Sequence, residues 1–217
     1  MMVRILGVLT GKVRPFRGPD EPSAIAKRLV EGPVAVEMLG LVGDQQADRS
    51  VHGGLDKAVH HYPADHYAFW RGEFDGHPLL TAAGAFGENI SALGLVEADV
   101  CIGDRFRLGS ALVEVSQGRQ PCWKLGHRFG SAAVAAQVVA TRRSGWYYRV
   151  IEPGLVQAGD PLSLVGRGQG EWSVEQVFGL LIGVDGKRDL GALRALQGHS
   201  VLSEAWRRRA GQLLGEG

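Results

Sequence analysis

The stretch SQGRQPCWKL, Ser116 to Leu125, carries one of two cysteines in a chain of 217 residues, with Arg119 three places before Cys122 and Lys124 two places after it. Nearby cations favour a thiolate over a thiol, which lowers the pKa and makes the sulfur a better nucleophile and metal ligand near neutral pH. Pro121 restricts the backbone directly before Cys122 and fixes the direction of the thiol. The other cysteine, Cys101, sits in the apolar run VEADVCIGD and reads as a buried structural residue, the ordinary fate of a free cysteine. A thiolate suits soft or high-valent metals bound through sulfur, and persulfide chemistry, rather than magnesium or calcium.

A second polar constellation runs from Gly43 to Tyr67, GDQQADRSVHGGLDKAVHHYPADHY, and holds His52, His60, His61 and His66. Gly53-Gly54 lets the backbone approach a bound group and present N–H donors to an anion, whose charge Arg49 and Lys57 would neutralise. The competing reading is a plain turn, with His60 and His61 on alternate faces of a strand and at most one of them inward. The histidine spacings match no recognised zinc framework. In GAFGENI, Gly84 to Ile90, Glu88 and Asn89 follow two glycines three apart. Such a loop either orients a polar heterocycle at its edge or is a tight turn between strands.

These residues need a scaffold, and the 32 glycines leave few stretches long enough for a helix. Short strands are expected over the first two thirds: Val3 to Val13, Pro33 to Val42, a hairpin from Asp104 to Ser116 turning at Gly109-Ser110, Trp146 to Ile151, and Pro161 to Val165. Ala64 to Phe74 reads as a helix with Tyr67, Trp70 and Phe74 on one packed face. Ala132 to Ala140 reads as another, capped by Ser131. After the glycine-rich stretch GRGQGE the pattern is helical, with caps expected at Ser173 (with Gln176), Asp189 and Ser203, and with Arg207, Arg208 and Arg209 facing solvent. Helices this short are not stable alone in water and must pack on one another or on the strands. The predicted fold is therefore mainly β, a barrel over residues 1–166 followed by a three-helix unit over 171–217.

Composition narrows the function classes. Lys+Arg 24 against Asp+Glu 23 gives a net charge of +1, which supplies no strong field for nucleic acid or an anionic membrane. No apolar run is long enough for a bilayer span, and the first ten residues do not read as a signal peptide, so the expected compartment is the cytoplasm. No dinucleotide or P-loop fingerprint is present, so a redox enzyme built on this chain must take its electrons from a partner.

Together with PSAIAK (Pro22 to Lys27), GDQQAD, HGGLDKAVHHYPADHY, FGEN, GDRFRLG (Gly103 to Gly109) and GWYYRVIEPG (Gly145 to Gly154), the cysteine stretch resembles a MOSC domain, the module named after the C-terminal part of molybdenum cofactor sulfurase. The match runs in order over residues 1–165, and the helical tail is similar to that of the stand-alone bacterial subgroup linked to resistance against N-hydroxylated base analogues such as 6-hydroxylaminopurine. The resemblance implies a MOSC-type β-barrel that binds the molybdenum cofactor, with Cys122 as the protein ligand to molybdenum. It places Arg49, Lys57 and Arg119 at the phosphate and pterin and has His52 or Asn89 orient the pterin or substrate, with Gln120 a further cofactor-binding residue. The implied activity is that of a molybdenum-dependent oxidoreductase reducing N-hydroxylated compounds to amines with electrons from a flavoprotein reductase. Pyridoxal phosphate binding is not expected, and the oligomeric state stays open between monomer and homodimer. The alternative is a non-catalytic carrier of the cofactor, or of persulfide sulfur on Cys122. One departure stands out: the family often has proline where this chain has Gly118, and glycine there is expected to loosen the loop before Cys122.

Overall fold

A computed structural model describes residues 1–18, 20–47, 53–168, 172–183 and 189–215. The strands are β1 (Met2–Thr10), β2 (Arg14–Pro15), β3 (Pro22–Ser23), β4 (Arg28–Leu29), β5 (Val34–Glu37), β6 (Gly40–Leu41), β7 (Val59–Pro63), β8 (Ile90–Ala92), β9 (Arg105–Leu108), β10 (Ala111–Gly118), β11 (Trp146–Glu152), β12 (Gly154–Val156) and β13 (Pro161–Gly166). Seven of them close a barrel in the order β13-β9-β10-β11-β7-β8-β1, with β1 pairing back to β13 and β4 added beside β1. Closure removes free sheet edges, and Phe106, Leu108, Val113, Val115, Tyr148, Val150 and Leu162 belong to the core.

All neighbours are antiparallel except β7 and β8. A parallel pair needs a crossover rather than a hairpin, and the helix α1 (His66–Glu73) lies in that connection. Its Tyr67 and Trp70 are buried, as the stripe predicts. The hairpin at Gly109-Ser110 forms as read, with Gly109 at φ +59°. Pro33 to Val42 differs from the expected single strand: the chain turns at Met38-Leu39, Gly40 takes φ +130°, and β5 folds back on β6.

Further along lie α2 (Trp123–Arg128), α3 (Ala133–Thr141), α4 (Val174–Leu181), α5 (Leu190–Gln197) and α6 (Glu204–Leu214). The Ser131 hydroxyl accepts from Ala133 N–H at 3.3 Å, so α3 starts one residue later than expected. Ser173 and Gln176 form a reciprocal capping box, and Asp189 and Ser203 cap α5 and α6. The tail packs directly on the barrel. Val174, Phe178 and Trp206 are buried in the common core, and Ser203 N–H donates to Ser116 C=O at 3.0 Å. Of the arginine run, Arg208 and Arg209 are exposed as expected, Arg208 paired with Glu204 and Arg209 Nε donating to Leu181 C=O at 3.4 Å, whereas Arg207 is half-buried. No helix among the described residues is long and apolar enough to cross a membrane.

Candidate functional site

The chain delivers Cys122 from the end of β10. Gly118 pairs with Trp146 in the barrel, Arg119 N–H donates to Gly145 C=O at 3.0 Å, and the backbone then leaves the sheet. Cys122 is extended at φ −126° and ψ 171°, and its carbonyl accepts from Leu125 N–H at 3.0 Å to begin α2, which the buried Leu125 anchors. The sulfur-bearing residue is thus held from both sides. Cys122 is half-buried and lines a half-open pocket of about 100 Å³. Cys101 is also half-buried rather than sealed in the core, and it lies at an isolated bridge to Ser173.

Gly118 does not loosen this segment. A Cβ there would lie 2.8 Å from Trp206 Cη2 and 3.4 Å from both Phe178 and Val174, so the strand end is pressed against the tail. A larger residue at this place would have to displace Trp206.

Five of the seven expected site residues line the one pocket: Cys122, Lys57, Asn89, Arg119 and Gln120. Arg49 and His52 lie outside the described residues. Gln120 is exposed at the rim. Lys57 ends a short 3-10 turn whose Asp56 C=O accepts from the Ser116 hydroxyl at 2.5 Å and whose Asp56 carboxylate is taken by Arg149 at 2.7 Å. Burial pushes the Lys57 ammonium below its ordinary pKa, against the pull of Asp56.

Arg119 is 5% exposed. Its Nη2 donates to Phe86 C=O at a long 3.4 Å, and its Nη1 is buried with no hydrogen-bond partner. A buried charge with an unused donor is costly unless an acceptor arrives. Beside it, His60 is also buried with Nε2 unpartnered, and burial first, then the Arg119 cation, hold its pKa well below the ordinary value. The Tyr147 phenol lines the same pocket. Burial raises its pKa, Arg119 opposes that rise and Cys122 adds to it.

Both adjacent histidines prove buried, His60 at 3% and His61 at 0%, so the expectation of at most one inward is overturned. Every residue of β7 is covered because one face fills the barrel and the other backs the pocket. His61 Nδ1 shares a hydrogen bond with the Tyr148 hydroxyl at 3.1 Å. His66 is also committed, to Glu97 at 2.7 Å, and Glu97 accepts from Gly145 N–H at 2.6 Å through its other oxygen.

The FGEN loop turns its polar groups inward. Glu88 is fully buried and accepts from the Tyr67 hydroxyl at 2.5 Å, Gly84 N–H at 2.6 Å and Phe86 N–H at 3.1 Å. Asn89 Oδ1 accepts from His60 N–H at 3.0 Å, while its Nδ2 donates to Leu9 C=O at 3.1 Å and Asp44 Oδ2 at 2.9 Å. Both amide hydrogens are spent on protein acceptors, and Asn89 forms part of the pocket wall. Lys27 and Asp44, side by side in that wall, were not among the expected site residues. The last residue of PSAIAK and the first acid of GDQQAD are the signals for them, and neither shows from the sequence which way it points.

The MOSC domain family profile matches residues 48–163. Protein YiiM of Escherichia coli is 48% identical over 161 residues, which cover 74% of this chain and 71% of that protein. A protein named Reductase from Gibberella moniliformis is 40% identical over 175 residues, 80% of this chain but 31% of the fungal one. The crystal structure of YiiM from Geobacillus stearothermophilus superposes with a TM-score of 0.82 at 34% identity, covering 99% of this chain and all of that one. The closed barrel, the cysteine segment and these similarities together make the chain a member of the MOSC domain family.

Proposed function

We propose that this chain binds a molybdenum cofactor through Cys122 and reduces N-hydroxylated compounds, N-hydroxylated purine bases among them, to amines in the cytoplasm, with electrons from a separate flavoprotein reductase. The observation that carries the reading is the placement of the Cys122 thiol in one pocket with a buried guanidinium whose Nη1 has no acceptor. The residues fit the group. Arg119 needs an anion or a polar heteroatom, Lys57 adds a second cation at the wall, and Gln120 offers an amide at the rim. One soft thiolate is what a metal already bound to sulfur requires from a protein. When bound, the cofactor supplies two-electron redox chemistry.

This chain's own residues hold and orient it. Arg119 and Lys57 meet negative charge and Gln120 closes the edge. The Pro121–Leu125 segment keeps the sulfur in place, and the covered β7 excludes water from behind. The fungal relative's name supports the class of activity.

Purification from a molybdenum-replete host, followed by metal and pterin analysis and reduction of an N-hydroxylated purine with a flavoprotein donor, tests the reading. Cys122→Ala is expected to keep the fold and lose molybdenum and turnover. Full molybdenum and full activity in that variant would sink the assignment. A labile extra sulfur on Cys122 without turnover would favour the carrier instead.

A further inference from the structure

We propose that Lys27, held by Asp44 in the wall of the Cys122 pocket, is the proton donor to the oxygen that leaves an N-hydroxylated substrate. The inference rests on the reductase reading above. Its ground is a buried ion pair in the wall of the Cys122 pocket, held in place by a polar chain that ties it to the barrel. Lys27 and Asp44 side chains are 10% and 5% exposed and form a direct ion pair. Burying such a pair seldom stabilises a fold and demands further bonds to the remaining lone pairs. Here those bonds are supplied in sequence. Asp44 Oδ1 accepts from Gly11 N–H at 2.7 Å, Asp44 Oδ2 accepts from Asn89 Nδ2 at 2.9 Å, and Asn89 is fixed by Leu9 C=O and His60 N–H. Segments that follow β1, follow β6 and precede β8 thus converge to keep one ammonium group in place.

The reaction needs such a group. Reduction of R–NH–OH takes two electrons, here from the flavoprotein reductase, and two protons. The N–O bond breaks, one proton leaves on oxygen as water and the other forms the new N–H bond of R–NH2. Hydroxide is a poor leaving group, so a proton placed at oxygen lowers the barrier. Other groups in the pocket serve this less well. Guanidinium groups are poor proton donors, burial and Arg119 hold the His60 pKa well below its ordinary value, and the Tyr147 phenol is held above its ordinary pKa. Lys124 donates to Pro22 C=O at 3.1 Å. The carboxylate beside Lys57 is already engaged by Arg149.

Lys27 has its own carboxylate, and burial lowers its pKa from the ordinary lysine value against the opposing Asp44 charge, which makes it a stronger acid than an exposed lysine. After donation it regains a proton from solvent through the open side of the pocket, and Asp44 stabilises the re-formed ammonium.

The test uses cofactor-loaded protein with the flavoprotein donor and an N-hydroxylated purine. Lys27→Ala is expected to lose about 100-fold or more in kcat, the range of general acid catalysis, with molybdenum and pterin content within about twofold of wild type. Added ethylammonium restores turnover in that variant and guanidinium does not, because only the former has a proton to give. Lys27→Arg is expected to load normally and stay slow. The proposal is overturned by kcat within threefold of wild type in Lys27→Arg, by equal rescue with guanidinium, or by loss of pterin in both variants, which would make Lys27 a cofactor contact. Loaded wild-type protein with no turnover would overturn the reductase reading and this one with it. An active wild type beside an active Lys27→Arg would overturn this one alone.

Discussion

The tail helices set the position of Cys122, and Trp206→Ala is the perturbation that exposes this. Trp206 is 3% exposed, lies 6.3 Å from Phe178 between ring centroids, and bears through Cη2 on Gly118, four residues before the cysteine. A buried indole removes about 150–250 Å² from water, worth about 4–6 kcal/mol at 25 cal/mol per Å². Truncations of this kind in cores cost about 3–5 kcal/mol once partial collapse is included. For a chain of this length each kcal/mol lowers Tm by about 2–4 °C, so calorimetry should show a fall of about 6–20 °C. The second readout is iodoacetamide alkylation of the folded protein, mapped residue by residue by mass spectrometry. Without its backstop the Gly118 end of β10 moves more freely, and the Cys122 rate should change several-fold. Trp206→Phe, which keeps a ring at the contact, should lie between the two. A Tm within about 3 °C of wild type, or a large loss of stability with Cys122 alkylation unchanged, would refute the argument that the tail positions the thiol.

Two further outcomes follow from buried charge. Arg119→Met should leave the cofactor-free protein as stable as wild type or more so by about 1–2 kcal/mol, because it removes a buried cation with an unused donor, while pterin content falls to background; marked destabilisation without loss of pterin would contradict this. His60 and His61 are both held below the ordinary histidine pKa by burial, His61 to about 3. The unfolded chain takes up their protons as pH drops below about 6.5 while the folded chain does not, so their contribution is fully present above that pH and is lost on the way down to about 3. Each histidine contributes a slope of about 1.4 kcal/mol per pH unit in that window. Denaturant titrations at pH 7, 6 and 5 should therefore lose stability steadily, and His61→Phe should flatten the slope.

The barrel was largely legible because its signals are local. Alternation on either side of Gly109-Ser110 fixes one hairpin, and the run Trp146 to Ile151 has room for nothing else. The six-residue helix α2 was not read, since nothing in a stretch so short separates a helical turn from a loop after Pro121. Cys122 and Arg119 stand out in the sequence for a chemical reason, a thiol and a guanidinium three residues apart, and the fold brings both to one pocket. Direction is what residue type leaves out. His60 and His61 looked like two faces of one strand with one side exposed, and only the coverage of β7 on both sides decides that neither is.

Asn89 shows why this gap matters for function. Its amide joins β7 through His60, β1 through Leu9, and the loop carrying Asp44, so it spends every hydrogen on protein and still belongs to the site. Glu88, one residue earlier, folds the loop onto α1 and thereby aims Asn89. The FGEN stretch therefore reaches the far wall of the pocket at one remove: Asn89 holds Asp44, and Asp44 holds the Lys27 ammonium. Lys27 and Asp44 lie 17 positions apart in the sequence, on segments whose crossing is set by tertiary packing. A pair brought together in that way leaves no spacing signature, which is why the two residues that complete the wall of the pocket appear only once the chain is folded.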